Sequence, residues 1–461
     1  MNTVRVIART VEEIVTDTDK MITEFNEFSG RAAGFCYMTD DYEALCEQGN
    51  ERAISRAKGT AKRGHTSVLG HAVVSLELNI PKALAMVLNS LGVYNTSEKS
   101  ARYTKMEPET DRERFLYEKW VQKIQQSILN KYPSYDDEFI KKYLKQITDM
   151  PNEWNYIVSN GAVVIQNLTH KSVYGMQEMN TKINEMVDII KKRNDIPSIK
   201  LAMENARYMT SVFTPTSMVY TVSYRQLCLI VDYLDKLVND CNTIYNNSFY
   251  RMLREPAYEL SRQLKGILGN DKIMHDNKNQ RIRFLLDTYT DCKKVEVIGD
   301  SYTVTYAESF AAIAQAERHR TIRYSISVPE DNNRDYFIPP ILEDKSDIEE
   351  WIEDIRSIEY CVPQGTLVNV TEQGIFEDFA LKCKERLCGR AQLEIMVNTK
   401  QTLQKFIDNE DKLCKYNVEL LHSMIDCENG STKIKPRCAF SDFKCTDGCT
   451  WGKISGVDRL I

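Results

Sequence analysis

The polar and apolar positions of the chain predict short strands followed closely by helices. Val4 to Ala8 alternates like a strand, and Thr10-Val11-Glu12-Glu13 has the look of a helix start. Glu51 to Gly64 reads as a basic helix that leads into His65. Val68 to Leu78 is strand-like, and Pro81 to Leu91 reads as a helix with proline in its first turn. A polar loop, Glu98-Lys99-Ser100-Ala101-Arg102-Tyr103, closes this block. From Met106 to Leu201 the chain is charged, rich in tyrosine and predicted mostly helical (KWVQKIQQSILNKY, INEMVDIIKKR), which suits a solvated insertion or cap. Asn205-Ala206-Arg207 then precedes a second strand and a long helix, FTPTSMVYTVSYRQLCLIVDYLDKL. Leu268 to Asn279 is polar and turn-rich, which sets a boundary between residues 1–270 and 271–461.

Beyond that boundary the pattern repeats. Val295 to Arg320 aligns without gaps on Ser67 to Gly92 at a constant offset of 228, strand on strand and helix on helix. Pro363 to Ile395 answers the second strand and helix, and ends in Arg386-Leu387-Cys388-Gly389-Arg390-Ala391-Gln392-Leu393-Glu394-Ile395. The fold class expected is α/β (α+β). It consists of two tandem, diverged copies of one unit, the first carrying a helical insertion at about 106–200.

Composition narrows the class. A chain of 461 residues has room for two to four domains, and 42% hydrophobic with 27% charged residues is ordinary for a globular protein. A net charge of −6 argues against bulk nucleic-acid binding. No apolar run approaches the roughly 20 residues of a membrane span, and MNTVRVIARTVEEIVTD lacks the apolar stretch of a secretory signal. A cytoplasmic protein is expected. Thirteen cysteines, an odd count, suit reduced thiols better than a disulfide framework. The tail Cys438-x6-Cys445-x3-Cys449, with Cys427 upstream and His422 as a fourth ligand, has the donors for zinc or an iron–sulfur cluster; reduced thiols in a loop are the plainer reading.

Two stretches carry candidate chemistry. Hydroxyls, acceptors and an arginine within Glu98–Tyr103 suit a phosphate and a neighbouring polar ring. Ala314-Gln315-Ala316-Glu317-Arg318-His319-Arg320 closes the helix of the second copy with two guanidinium forks and an imidazole. That cluster could also be a cationic helix C-terminus and nothing more. Ser100 has no paired base in the sequence, so it reads as a positioning hydrogen bond rather than a nucleophile. His71, on an apolar run, reads as a core residue.

The spacing His65-x-Ser67-x-x-x-His71, followed by strand, helix and Ser100-x-Arg102-Tyr103, resembles the flavin-dependent thymidylate synthases. So do Arg318-His319-Arg320 and the run from Arg386 to Ala391-Gln392-x-Glu394-Ile395. The resemblance implies transfer of a one-carbon unit to a pyrimidine deoxynucleotide, most simply dUMP to dTMP. FAD would be the cofactor, with methylenetetrahydrofolate and NADPH as co-substrates. It implies substrate contacts from Glu98, Ser100, Arg102, Tyr103, Arg207, Gln315 and Arg386, with Ser100, Arg207 and Arg386 at the chemistry. Flavin contacts would come from His65, Ser67, Arg318, His319 and Arg320. It also implies a homodimer arranged as a pseudo-tetramer, since the family builds sites between subunits. The alternatives are a paralogue that modifies another pyrimidine nucleotide, or a nucleotide-binding protein without catalysis.

The two copies divide these roles. Ser90, Leu91 and Gly92 stand where the second copy has Arg318, His319 and Arg320, while Val87 and Leu234 stand opposite Gln315 and Arg386. In return, Ile326, Val328 and Glu330 stand opposite Glu98, Ser100 and Arg102, and Glu359 stands opposite Arg207. A carboxylate at Glu359 repels a phosphate. One functional site per chain is expected.

Overall fold

A computed structural model describes residues 13–99, 108–131, 155–159, 162–167, 198–244, 247–269, 285–286, 296–389, 391–428, 431–442 and 457–461. The expected strand at Val4–Ala8 and the helix start at Thr10–Glu13 fall wholly or largely outside them. The chain forms two compact units, one of Met1–Lys99 with Pro215–Leu285, the other of Ser100–Thr214 with Leu286–Ile461.

The first unit opens with α1 (Thr18–Tyr37), α2 (Tyr42–Glu47) and α3 (Asn50–Lys62). Asp17 and Asp41 cap α1 and α2 by accepting from Lys20 and Ala44 backbone N–H groups, each at 2.9 Å. The strand expected from Val68 starts later. A 3₁₀ turn occupies Thr66–Gly70, and β1 runs over Val73–Pro81. His71 is exposed on that turn rather than in the core, because the chain has not yet entered the sheet. Pro81 ends β1 and α4 (Lys82–Asn89) follows at once, as its fixed φ favours. All eight residues of α4 are buried. β2 (Tyr94–Glu98) then pairs with a later strand of the same unit.

The insertion contributes α5 (Asp111–Lys131), a hairpin of β3 (Asn155–Ser159) and β4 (Ala162–Asn167), and α6 (Ser198–Ala206). It was expected to be a solvated helical elaboration, and α5 overturns that. Leu116, Tyr117, Trp120, Ile124 and Ile128 recur at helical spacing and are buried with Ala202 and Ala206. The hairpin adds strand where helix was expected. A 3₁₀ turn, Arg207–Met209, ends the segment.

Back in the first unit, β5 (Pro215–Ser223) pairs antiparallel with both β1 and β2, giving the order β1-β5-β2. Ser223 caps α7 (Tyr224–Cys241), which packs with α8 (Ser248–Leu268).

The second unit repeats the arrangement: β6 (Ser301–Ser309), α9 (Phe310–Ala316), β7 (Arg323–Ser327), α10 (Lys345–Arg356), β8 (Leu367–Ile375), α11 (Phe376–Arg386) and α12 (Leu393–Ile407). Its sheet has the order β6-β8-β7, also antiparallel. The registers agree with those of the first sheet. Val73 faces Ser223 and Ser301 faces Ile375; Asn95 faces Thr221 and Arg323 faces Gln373. α13 (Lys415–Ser423), β9 (Ile425–Glu428) and β10 (Ser431–Ile434) complete the described chain apart from a final turn.

Helices α5 and α10, both in the second unit, hold one another through a mixed interface. Trp120 and Trp351 meet edge to face at 4.9 Å, and Trp120 Nε1 donates to Asp354 at 3.0 Å. Lys119 pairs with Glu350 and Asp354, and Lys123 with Asp347 and Glu350. No helix among the described residues is long and apolar enough to cross a membrane.

Candidate active site

The centre of the candidate site is the β6–α9 junction. Ser309 ends β6 and caps α9, its Oγ accepting from Ala312 N–H at 3.2 Å. Glu394, in the first turn of α12, accepts from Ser309 N–H at 2.6 Å on one oxygen and from Ser309 Oγ at 2.5 Å on the other. The second oxygen also accepts from Tyr208 OH at 3.2 Å. Tyr208 in turn accepts from Gln392 Nε2 at 2.8 Å, and Gln392 Oε1 accepts from Gln315 Nε2 at 2.7 Å. Burial and the Glu394 charge push the Tyr208 hydroxyl well above its ordinary value, so it keeps its proton.

α9 ends at Ala316, and the chain turns tightly through Arg-His-Arg. His319 N–H bonds back to Ala316 and Ile322 N–H to His319. The turn exposes Arg318 and Arg320 and buries His319. Arg386, the last residue of α11, donates Nε–H to His319 Nε2 at 2.7 Å and reaches Gln315 O at 3.5 Å. Burial first, and then the Arg386 and Lys382 charges, push the His319 pKa down to about 2. The ring is therefore neutral. Nε2 carries the lone pair that accepts from Arg386, and Nδ1–H faces Glu385 at 3.4 Å. With the ring neutral, that contact is not an ion pair.

Arg207 reaches this cluster from the first half of the sequence. It is 2% exposed; among the described residues its guanidinium makes one long contact of 3.5 Å, from Nη2 to Ala311 O in α9, and its Nε has no hydrogen-bond partner. What brings it there is a local pairing of segments. Ser211 and Pro363 form an antiparallel bridge; Val212 N–H donates to Val362 O, Gln364 N–H to Thr210 O and Gly365 N–H to Tyr208 O. Ser211 and Pro363 stand at the same offset of 152 that separates β5 from β8. The fit is tight. Val362 adopts φ 53°, a strained value for a β-branched residue, and a Cβ on Gly365 would lie 3.0 Å from Tyr208 Cβ.

The structure thus brings Arg207, Gln315, Arg318, His319, Arg320 and Arg386 into one unit, with Arg207, Gln315, His319 and Arg386 linked by contacts around α9. Glu98, His65 and Ser67 belong to the other unit. Glu98 is held there by Lys82 Nζ at 3.2 Å and Thr216 Oγ1 at 3.3 Å, while His65 and Ser67 are exposed. Ser100, Arg102 and Tyr103 lie outside the described residues, as do Arg390, Cys445 and Cys449. Cys438 is exposed, and His422 pairs with Glu410 at 3.0 Å. Among the described residues no cluster of three His, Cys, Asp or Glu side chains could hold a metal.

At the first-half counterpart of Arg-His-Arg the backbone differs. Gly92 has φ 67°, and a Cβ there would fall 2.4 Å from the Gln226 amide, which donates to Leu91 O at 2.6 Å. An arginine at that position would be strained and would displace Gln226.

A buried polar group outside the expected site residues lies beside the cluster. Glu372 is 0% and Lys382 1% exposed; their ion pair spans 2.7 Å. Tyr302 OH and Tyr306 OH donate to Glu372 at 2.7 and 2.5 Å, and Lys382 lies over the Tyr324 ring. Glu308 accepts from Asn398 at 3.0 Å. A signal was available, because Tyr302-Val304-Tyr306-Glu308 and Val368-Val370-Glu372 each place a carboxylate on the apolar face of a strand.

Burial pushes Glu394 up to about 7, and burial together with Glu394 pushes Glu308 up to about 8, from an ordinary 4.5. The folded chain thus holds protons that the unfolded chain has released. Their stabilising contribution is complete below about 4.5 and is lost as pH rises through 7 to 8. His319 acts oppositely, since its depressed value removes stability as pH falls below 6.5, so the comparison belongs above neutrality. Glu308→Gln should be more stable than wild type by about 1–3 kcal/mol in alkaline buffer and nearly equal to it in mildly acidic buffer. Urea unfolding at several pH values reads this directly. A constant difference across the range would exclude a titrating Glu308.

The fold and the cluster define an α+β protein with buried and exposed guanidinium groups around one short helix, Arg207 at its first turn and Arg318 and Arg320 beyond its last. The family model of thymidylate synthase complementing protein matches residues 20–236, and over that stretch, a little under half of the chain, the sequence is similar to the flavin-dependent thymidylate synthases. The activity of that family is, in broad terms, flavin-dependent thymidylate synthesis. No curated protein and no solved structure matches the chain.

Proposed function

We propose that the protein transfers a one-carbon unit to a pyrimidine deoxynucleotide, dUMP to dTMP, using FAD with methylenetetrahydrofolate and NADPH as co-substrates. The observation that carries this reading is Arg207. Its buried guanidinium is set against α9, which also carries Gln315, and its Nε–H makes no hydrogen bond among the described residues. Donors so placed suit the phosphate and ring oxygens of a nucleotide. Arg318 and Arg320 add exposed donors that fit the pyrophosphate of FAD, with His319 beside them.

In this reading Arg207 neutralises the nucleotide phosphate, while Gln315 and Arg386 orient the pyrimidine ring. His319, kept neutral, accepts from Arg386 and fixes the guanidinium plane. When bound, the flavin supplies hydride; the side chains hold and orient. The nucleotide roles of Glu98, Ser100, Arg102 and Tyr103, and the flavin-side roles of His65 and Ser67, rest on the family resemblance alone.

We further infer that the chain is a tandem duplication, for which the equal sheet orders, the equal registers and the Ser211–Pro363 pairing are the support. One site per chain follows, since Gly92 and Gln226 fill the first-half counterpart of the arginine cluster, while Ile326 and Val328 are buried apolar residues. A homodimer would supply the four units of a pseudo-tetramer. The test uses the purified full chain. A flavin absorption spectrum at one per chain, with dTMP formed from dUMP, methylenetetrahydrofolate and NADPH, is expected. A colourless protein that binds dUMP without turnover would favour a non-catalytic nucleotide-binding protein.

A further inference from the structure

The hydrogen-bond chain from Glu394 to Gln315 has a fixed direction, and from that direction we infer that Glu394, Tyr208 and Gln392 are positioning residues that make Gln315 a selective acceptor for a pyrimidine ring carrying an imide N–H. The inference rests on the proposed binding of a pyrimidine nucleotide beside Gln315 and Arg386.

The direction follows from the carboxylate, which can only accept when ionised. Glu394 takes Ser309 N–H on one oxygen, and that donor cannot be reversed because it is backbone. Its second oxygen takes the hydroxyl protons of Ser309 and Tyr208. With its proton committed, Tyr208 must accept from Gln392, which fixes the Gln392 amide with nitrogen toward Tyr208 and oxygen toward Gln315. Gln315 must then give its nitrogen to Gln392. Gln392, Tyr208, Ser309 and Glu394 are all buried, so water cannot re-orient the links. What remains of the half-buried Gln315 side chain is Oε1, to which nothing among the described residues donates. Arg386, against the Gln315 backbone carbonyl, is donor-only. Gln315 Oε1 therefore stands as a single oriented acceptor, which matches the imide N–H of uracil. Cytosine presents a bare ring nitrogen there and opposes the acceptor.

Glu394→Gln is the decisive variant because the Ser309 N–H also fixes its amide. The oxygen of the new side chain must stay on Ser309 N–H, which turns its nitrogen toward Tyr208. Tyr208 then donates to Gln392, the Gln392 amide reverses, and Gln315 presents its nitrogen. Calorimetry on the full-length protein with dUMP and dCMP, in buffer well above neutrality where Glu394 is ionised, reads the outcome. Wild type should bind dUMP about 10- to 100-fold more tightly than dCMP. Glu394→Gln should reduce that ratio to about one or invert it, and Tyr208→Phe, which cuts the chain, should abolish any further effect of Glu394→Gln. An unchanged ratio in a folded Glu394→Gln protein would overturn the inference and leave the proposed function standing. If Glu394→Gln does not fold, Gln315→Ala decides: its side chain is half-buried, and loss of the preference supports the inference while a retained preference overturns it. Failure of wild type to bind either nucleotide would instead remove the proposed function on which the inference rests.

Discussion

Lys382→Met is expected to destabilise the protein by about 3–5 kcal/mol, the cost of leaving a buried carboxylate without its cation. Glu372 is wholly buried, and its two tyrosine donors cannot balance a full charge. Methionine matches the lysine stem in volume, so little of the loss would come from packing. Adding Glu372→Gln should recover most of it, because glutamine still accepts from a tyrosine hydroxyl and no net charge remains. Urea unfolding of both variants makes the comparison. A loss below about 1 kcal/mol in the single variant would mean the pair is hydrated rather than buried. The first half builds these positions from Val74, Leu78, Tyr220 and Ile230, so the sheet itself does not require charge there.

Arg386→Ala should lower kcat/KM for thymidylate formation by about 100- to 1,000-fold, the usual effect of removing one preorganised donor at a reacting centre. Nucleotide affinity should fall by a smaller factor, about 10-fold or more. The same change removes the donor to His319 Nε2 and the nearer cation holding its protonation down, so the His319 titration should move up. Proton NMR of the imidazole follows this without any cofactor. Arg386→Lys should not restore activity, because an ammonium cannot bond His319 and keep a planar fork for the ligand. Unchanged affinity and an unchanged His319 titration together would remove Arg386 from the site.

Much of the architecture was legible from local pattern. The strand–helix succession at β1–α4 and β6–α9 follows from β-branched runs meeting Pro81 or Ser309, and the offset of 228 holds through the sheet register. The position of Arg318, His319 and Arg320 at a helix end was likewise set by sequence, since a short helix can only stop where its apolar face stops. His71 failed because a 3₁₀ turn, which local pattern does not distinguish from a strand end, keeps it outside the sheet. α5 failed because its tryptophan face is half of an interface whose other half, α10, lies over 200 residues away in the chain.

The sequence alone thus determined the strand–helix elements and the residue types that stand at their ends. Only the tertiary structure decided that Arg207 belongs with Gln315, His319 and Arg386, because that proximity depends on pairing between segments near Ser211 and Pro363. It alone also decided the charge states of His319, Glu308 and Glu394, and the direction in which the Gln315 amide points. Those properties arise from burial and from hydrogen-bond partners distant in the chain, and neither leaves a period in the order of residues.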